Sequence, residues 1–226
     1  MYKYSVLTGC DDKYEFLIPW WIYKYRQHSS SPLIFADFGL SKEGRDYVEK
    51  HADIVIDINP EKKDFFWGMK ARSVSACDSL SKFVLWIDID CEINGDVTEY
   101  FSDSLTEGTF YIGKDVPALT YPGESEVFRN QLQAGLFMTS PKNKLFRLWL
   151  SRINENTNDQ KLISQLAMEN PGSVGFIPLE FHCPRLLLEN FIQESRKLPN
   201  VIHWTGQIGH EILKNRMFFD VYLAGN

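Results

Sequence analysis

The chain has 226 residues, 44% of them hydrophobic and 24% charged, with a formal net charge of -6. That length supports one large domain with a substantial core, and the composition excludes a disordered or low-complexity chain. The acidic balance argues against a nucleic-acid backbone as the main partner, but not against a small phosphorylated ligand, because a bound cation reverses the sign locally.

Tyr4–Thr8 reads as a short apolar strand and is followed by the turn C-D-D-K-Y. Glu15–His28 is aromatic-rich and of helical length, ending in the polar S-S-S-P. Leu33–Phe38 is a second strand; Gly39 follows, then a helix starting after Ser41 with Glu43 and Lys50 at the ends where each complements the helix dipole. Asp53–Ile58 alternates as a strand does, and Phe65–Leu80 is the next helix. Phe83–Ile89 is almost continuously apolar, the pattern of a strand covered on both faces. Further strands are expected at Thr109–Gly113, Ala134–Thr139, Val174–Ile177 and Val201–Trp204, with helices over Lys142–Asn154 and Gln160–Glu169. This alternation predicts an α/β fold with a mainly parallel central sheet flanked by helices. No repeat or linker divides it, so residues 1–226 read as a single domain.

The four cysteines, Cys10, Cys77, Cys91 and Cys183, form no C-x-x-C pair. This disfavours zinc and predicts reduced thiols in a cytoplasmic setting. No apolar run is long enough to span a bilayer, which leaves contact with a membrane surface open. The first residues do not have the form of a signal peptide.

Asp88 and Asp90 end the most buried-looking strand. Ligands of open α/β sheets bind beyond the carboxyl ends of the strands, and residues two apart on a strand point to one side. Two buried carboxylates that close together are costly unless a cation joins them, and Mn²⁺ or Mg²⁺ prefers oxygen ligands. The alternative is a strand-end pair bonded to backbone amides or to a lysine. The long apolar run ahead of the pair favours the cation.

W-I-D-I-D-C-E-I-N-G-D-V-T-E-Y-F, residues 86–101, resembles the D-x-D segment of nucleotide-sugar glycosyltransferases of the GT-A fold, most of all those of glycosyltransferase family 8. Three further segments follow in the family's order. T-G-C-D-D-K-Y resembles the stretch that holds uridine and ribose. Q-L-Q-A-G-L-F-M and then D-Q-K-L-I resemble the central Asn-Ala-Gly strand and the Asp-Gln pair, and V-I-H-W-T-G resembles the C-terminal His-x-x-Gly. The resemblance implies one GT-A domain over residues 1–226, either complete or as one module of a longer polypeptide.

It also implies a UDP-sugar donor bridged to the protein by Mn²⁺ or Mg²⁺. Asp88 would address the ribose or the metal, Asp90 would bind the metal, and His203 would supply a third ligand. Gly206 would let backbone approach a phosphate. Gly9, Asp11 and Asp12 would meet the uridine, with a helix N-cap as the alternative for Asp11. Lys70 and Arg72 would put a basic group near the donor, Lys70 being preferred. Gln133 and Ala134 would border the sugar pocket. Asp159 would grip donor hydroxyls, as well as or instead of capping a helix beginning at Gln160, and Gln160 would lie beside the anomeric carbon. T-Y-P-G-E-S-E, residues 120–126, would be a closing loop or an ordinary surface loop.

One departure from the family is visible. Its lysine, three residues after the His-x-x-Gly glycine, is replaced by Gly209, with His210 next and Lys214 further on. The activity implied is hexosyl transfer from a UDP-sugar to a glycan or lipid-linked acceptor, with retention, in glycan biosynthesis. Competing readings are a degenerate GT-A domain that binds a sugar nucleotide without turnover and a D-x-D phosphatase, which would want Thr or Val where Glu92 stands. A nucleotidyltransferase would need a Gly-rich, Arg-containing loop that G-C-D-D-K-Y does not supply.

Overall fold

The computed structural model describes residues 1–58, 68–101, 105–115, 131–154 and 158–224, the last seven of these by backbone alone. The loop expected at 120–126 and the first residues of the helix expected from Phe65 lie outside the described residues.

Strand β1 (Tyr2–Cys10) runs parallel to β2 (Leu33–Asp37) on one side and to β4 (Ser81–Ile87) on the other, and β3 (Ile54–Asp57) continues beyond β2. Past β4 come β7 (Leu132–Thr139), β6 (Phe110–Lys114) and β8 (Val174–Ile177), giving the order β3-β2-β1-β4-β7-β6-β8. β7 is antiparallel to both neighbours, while β6 and β8 are parallel. The sheet is therefore mostly parallel, as the sequence predicts.

Adjacent strand residues feed opposite faces, as the pleat requires. Val6, Leu85 and Leu136 join one apolar cluster with α1 (Ile18–His28), through Ile18, Trp21 and Tyr25. Leu7, Trp86 and Phe137 join the other, with α3 (Met69–Ala76), α4 (Lys144–Arg152) and α5 (Asp159–Glu169), through Val74, Trp149 and Ile163. Helix α2 (Lys42–His51) starts where Ser41 Oγ accepts from Gly44 N at 3.1 Å, with Glu43 in its first turn and Lys50 and His51 in its last.

A second sheet, unforeseen in the sequence, sets β10 (Val201–His203) between β5 (Cys91–Ile93), antiparallel, and β9 (His182–Pro184), parallel. α6 (Leu188–Ser195) follows β9, and a long C-terminal helix, α7 (Gly206–Ala224), follows β10. Since β5 begins four residues after β4 ends, the small sheet lies directly against the D-x-D segment.

Candidate active site

Strand β4 stops at Ile87, two residues short of the expected end, so Asp88 and Asp90 stand on a turn rather than on one strand face. Asp88 N donates to Gly135 O of β7 at 2.8 Å, and Cys91 N closes the turn on Asp88 O at 3.1 Å. The turn, not strand alternation, brings both carboxylates to His203: its Nε2 is 3.2 Å from Asp90 Oδ1 and 3.7 Å from Asp88 Oδ2.

The carboxylates also meet protein cations, so the alternative of a pair bonded to a lysine is realised at Asp88. Asp88 Oδ2 accepts from Lys70 Nζ at 2.8 Å, and Asp88 Oδ1 from the Trp86 indole at 2.6 Å. Burial raises the Asp88 pKa more than Lys70 lowers it. For Asp90, burial again opposes ionisation, but His203 and a bond with His210 outweigh it and hold the carboxyl well below its ordinary value. His203 shows the converse: burial disfavours its charge, yet Asp90 and then Asp88 raise its pKa.

His203 comes from β10, whose register pairs it with Cys91, and Trp204 N donates to Asp90 O at 3.1 Å. Two backbone ties thus set the imidazole over the carboxylates. Behind it lies His182, its ring centroid 5.8 Å away; burial, then the charge on His203, push its pKa well below the usual value, so this ring is neutral. Cys91, His182 and His203 form a second close group of metal-type donors that shares His203.

The residues present fit a hard divalent cation. Asp88, Asp90 and His203 offer two carboxylate oxygens and one imidazole nitrogen, all within 4.8 Å of one another at the cleft. That donor set suits Mn²⁺ or Mg²⁺.

Lys70 links the D-x-D turn to the next group. Its Nζ is 3.5 Å from Asp159 Oδ2 and donates to Ala134 O at 3.3 Å. Burial disfavours its charge, but Asp88 and Asp159 raise its pKa further. Asp159 is not the helix cap expected: α5 begins at Asp159 itself, capped by Asn158, whose Oδ1 accepts from Lys161 N at 2.9 Å. Asp159 Oδ2, buried, has no hydrogen-bond donor among the described residues. Gln160 Nε2 donates to Asp115 Oδ2 at 2.6 Å, and Gln133 Nε2 lies 3.4 Å from Asp115 Oδ1. Since a carboxylate only accepts, Asp115 fixes the Gln160 amide with its oxygen turned away from that contact.

Asp88, Asp90, His203, Lys70, Gln133, Asp159 and Gln160 line a cleft of about 310 Å³ that also touches Gly9, Cys10, Tyr14, Phe38, Thr205, Gly206 and His210. The volume falls at the lower end of small-molecule sites, roughly 300–1,000 Å³. Gly206 has φ +73°, the left-handed region that suits glycine. Gly9 needs to be bare for packing, because a Cβ there would meet Ala36 of β2. Asp11, Asp12, Arg72 and Ala134 are not among the residues lining the cleft. Asp11 instead accepts from Lys13 N at 3.2 Å, a local turn rather than a helix cap. Tyr14, Trp86, Asp115 and His210 were not foreseen as site residues.

The architecture is that of GT-A glycosyltransferases. The chain is similar in fold to the galactosyltransferase LgtC, solved in complex with donor and acceptor sugar analogues, at 16% identity and TM-score 0.65 over 89% of this chain and 87% of that one. It is also similar to the glycosyltransferase GlyE of Streptococcus pneumoniae, at 18% identity and TM-score 0.58 over 91% of this chain and 56% of that one. Mouse xyloside xylosyltransferase 1 matches at 9% identity and TM-score 0.58 over 88% and 97% of the two chains. At such identities the likeness is one of fold. No protein-family model matches the chain, and no curated protein matches it in sequence.

Proposed function

We propose that residues 1–226 form a single GT-A domain that transfers a sugar from a UDP-sugar to a glycan or lipid-linked acceptor, with retention and with Mn²⁺ or Mg²⁺ as cofactor. The observation that carries this reading is the convergence of Asp88, Asp90 and His203 at one end of the cleft, joined through Lys70 to Asp159 beside Gln160. A metal-type donor set and a sugar-type acceptor set therefore share one buried ammonium.

Asp88, Asp90 and His203 would hold the cation. Bound there, a divalent ion supplies Lewis-acid stabilisation of the negative charge that grows on departing UDP. Gly206, with no side chain, lets the backbone of the His-x-x-Gly turn meet the diphosphate. The Tyr14 and Phe38 rings and the strand end at Gly9 and Cys10, which also line the cleft, would meet the nucleoside. Asp159 Oδ2, ion-paired with Lys70 but given no hydrogen bond among the described residues, would accept from donor hydroxyls. The Gln160 oxygen, oriented by Asp115, faces the positive charge that develops at the anomeric carbon. Lys70 keeps Asp88 and Asp159 from repelling each other while the cleft is empty.

Four buried free thiols are consistent with a reducing, cytoplasmic setting. Among the described residues no helix is long and apolar enough to cross a membrane.

The test is sugar release from a panel of UDP-sugars with Mn²⁺, with and without glycan and lipid-linked acceptors. Transfer or slow hydrolysis of at least one donor, lost in the Asp90→Ala variant, is expected. UDP binding without turnover of any donor would favour the degenerate domain, for which the missing lysine at position 209 speaks. Release of phosphate from simple phosphomonoesters instead would favour the phosphatase.

A further inference from the structure

The end of β10 that carries His203 is bound to the D-x-D turn and β5 at successive levels. Trp204 N donates to Asp90 O, the Trp204 indole donates to Glu92 Oε2 at 3.0 Å, and Arg216 of α7 donates to Glu92 Oε1 at 2.7 Å. Glu92 is fully buried between them. These ties fix where the first turns of α7 stand relative to Asp90.

Gly209 lies on the first turn of that helix, where the resemblance expects a lysine. A Cβ at this position would collide with the backbone carbonyl of Trp204, so the fold admits no side chain there. The other candidate, Lys214, directs its Nζ over the Phe16 ring at 5.0 Å and is not among the residues lining the cleft. His210 does line it. Its Nε2 is 3.0 Å from Asp90 Oδ2, while His203 Nε2 takes the opposite oxygen, Oδ1, at 3.2 Å. The His210 ring is steadied by an edge-on contact with Tyr14, centroids 5.5 Å apart.

We propose that His210 is a positioning residue for Asp90. It donates its Nε2–H to Oδ2 and so presents Oδ1, together with Asp88 and His203 Nε2, to the divalent cation. This deepens the proposed function and rests on its metal site. An aspartate with neither oxygen held turns about a broad torsion; with one oxygen tied it offers a single, fixed ligand atom. Loss of such an outer partner costs about 10–100-fold in metal affinity. A neutral imidazole is sufficient, because the bond needs only the ring N–H.

The experiment titrates MnCl₂ alone, without nucleotide, into wild type, His210→Ala, His210→Phe and His210→Gln, and reads free Mn²⁺ by electron paramagnetic resonance. The metal-free variants are melted in parallel to establish that each folds. The Ala and Phe variants are expected to bind Mn²⁺ about 10–100-fold more weakly. Phe keeps a ring against Tyr14 but has no N–H. Gln, whose amide N–H can replace the donor, is expected to recover most of the affinity, which a purely structural role would not produce. Wild-type affinity in a folded Ala or Phe variant, or a Gln variant no better than Ala, overturns the inference. A wild-type chain that binds no Mn²⁺ overturns the metal site itself, and this inference with it.

Discussion

Gly135 of β7 leaves the space that the His203 imidazole occupies. A Cβ on this glycine would lie 2.8 Å from His203 Nε2 and nearer still to Cε1 and Nδ1. The glycine of the Q-A-G strand therefore has a packing reason: the large sheet presses bare backbone against the one imidazole that faces both carboxylates. Gly135→Ala is expected to push His203 out of line, lowering Mn²⁺ affinity at least about tenfold. Overpacking should also cost about 1–3 kcal/mol of stability. Manganese titration and denaturant unfolding check the two effects; a variant unchanged in both would mean that the ring has another resting place.

Lys70 is the cation that Asp88 and Asp159 share. Its replacement by Met leaves Asp88 with the Trp86 indole and His203 but takes the ammonium from the buried Asp159, and breaking a buried pair typically costs about 3–5 kcal/mol. The expected outcome is a lower melting temperature for metal-free Lys70→Met, partly restored by Mn²⁺, because the ion takes over neutralisation of Asp88. Melting with and without MnCl₂ measures this. A variant as stable as wild type would remove Lys70 from the electrostatic account.

In the proposed function Asp159 and Gln160 would address the sugar and not the nucleotide. Asp159→Ala and Asp115→Ala are each expected to lower sugar transfer far more than UDP affinity, the second by freeing the Gln160 amide. Comparing turnover with UDP binding by calorimetry separates the two effects. Parallel losses in both would move these residues out of the sugar pocket.

Acid stability has a defined contributor in Asp37, at the end of β2 and outside the cleft lining. Burial alone would raise the Asp37 pKa, but bonds from Leu40 N and Gly39 N and the Arg45 guanidinium outweigh it and lower the pKa below the ordinary 3.8. A carboxyl depressed on folding stabilises the native state above its unfolded pKa, and the contribution is lost as pH falls through the folded value. Asp37→Asn is therefore expected to lower stability at pH 7 and to flatten its decline below about pH 4. Urea unfolding from pH 7 down to the acid limb tests this, and an unchanged acid limb would contradict it.

Much of the frame was legible because it is written in local pattern. β1, β2, β4 and β7 are apolar runs, and the D-x-D, Q-A-G, D-Q and His-x-x-Gly segments keep the order in which the fold brings them together. What was not legible depends on distant partners. Asp115 is a lone acid whose meaning comes from Gln160, 45 residues away. Of the small sheet, β10 was legible as a strand, but its partners β5 and β9 have three residues each, too few to show a period, and α7 opens on two glycines that mask a helix start. The cap offered as a second role for Asp159 falls away because Asp and Asn serve equally well there; the neighbour Asn158 takes it, and Asp159 lines the cleft. His210 stood one residue from the expected lysine, and only the crowding of Gly209 against Trp204 explains the shift.

The central claim is that Asp90 and its neighbours join the protein to a nucleoside diphosphate through a divalent ion. Calorimetric titration with UDP tests it most directly, using wild type with Mn²⁺, wild type with EDTA, and Asp90→Ala with Mn²⁺. The account predicts clear binding in the first case and sharply weaker binding in the other two. Equal UDP affinity in all three would contradict it.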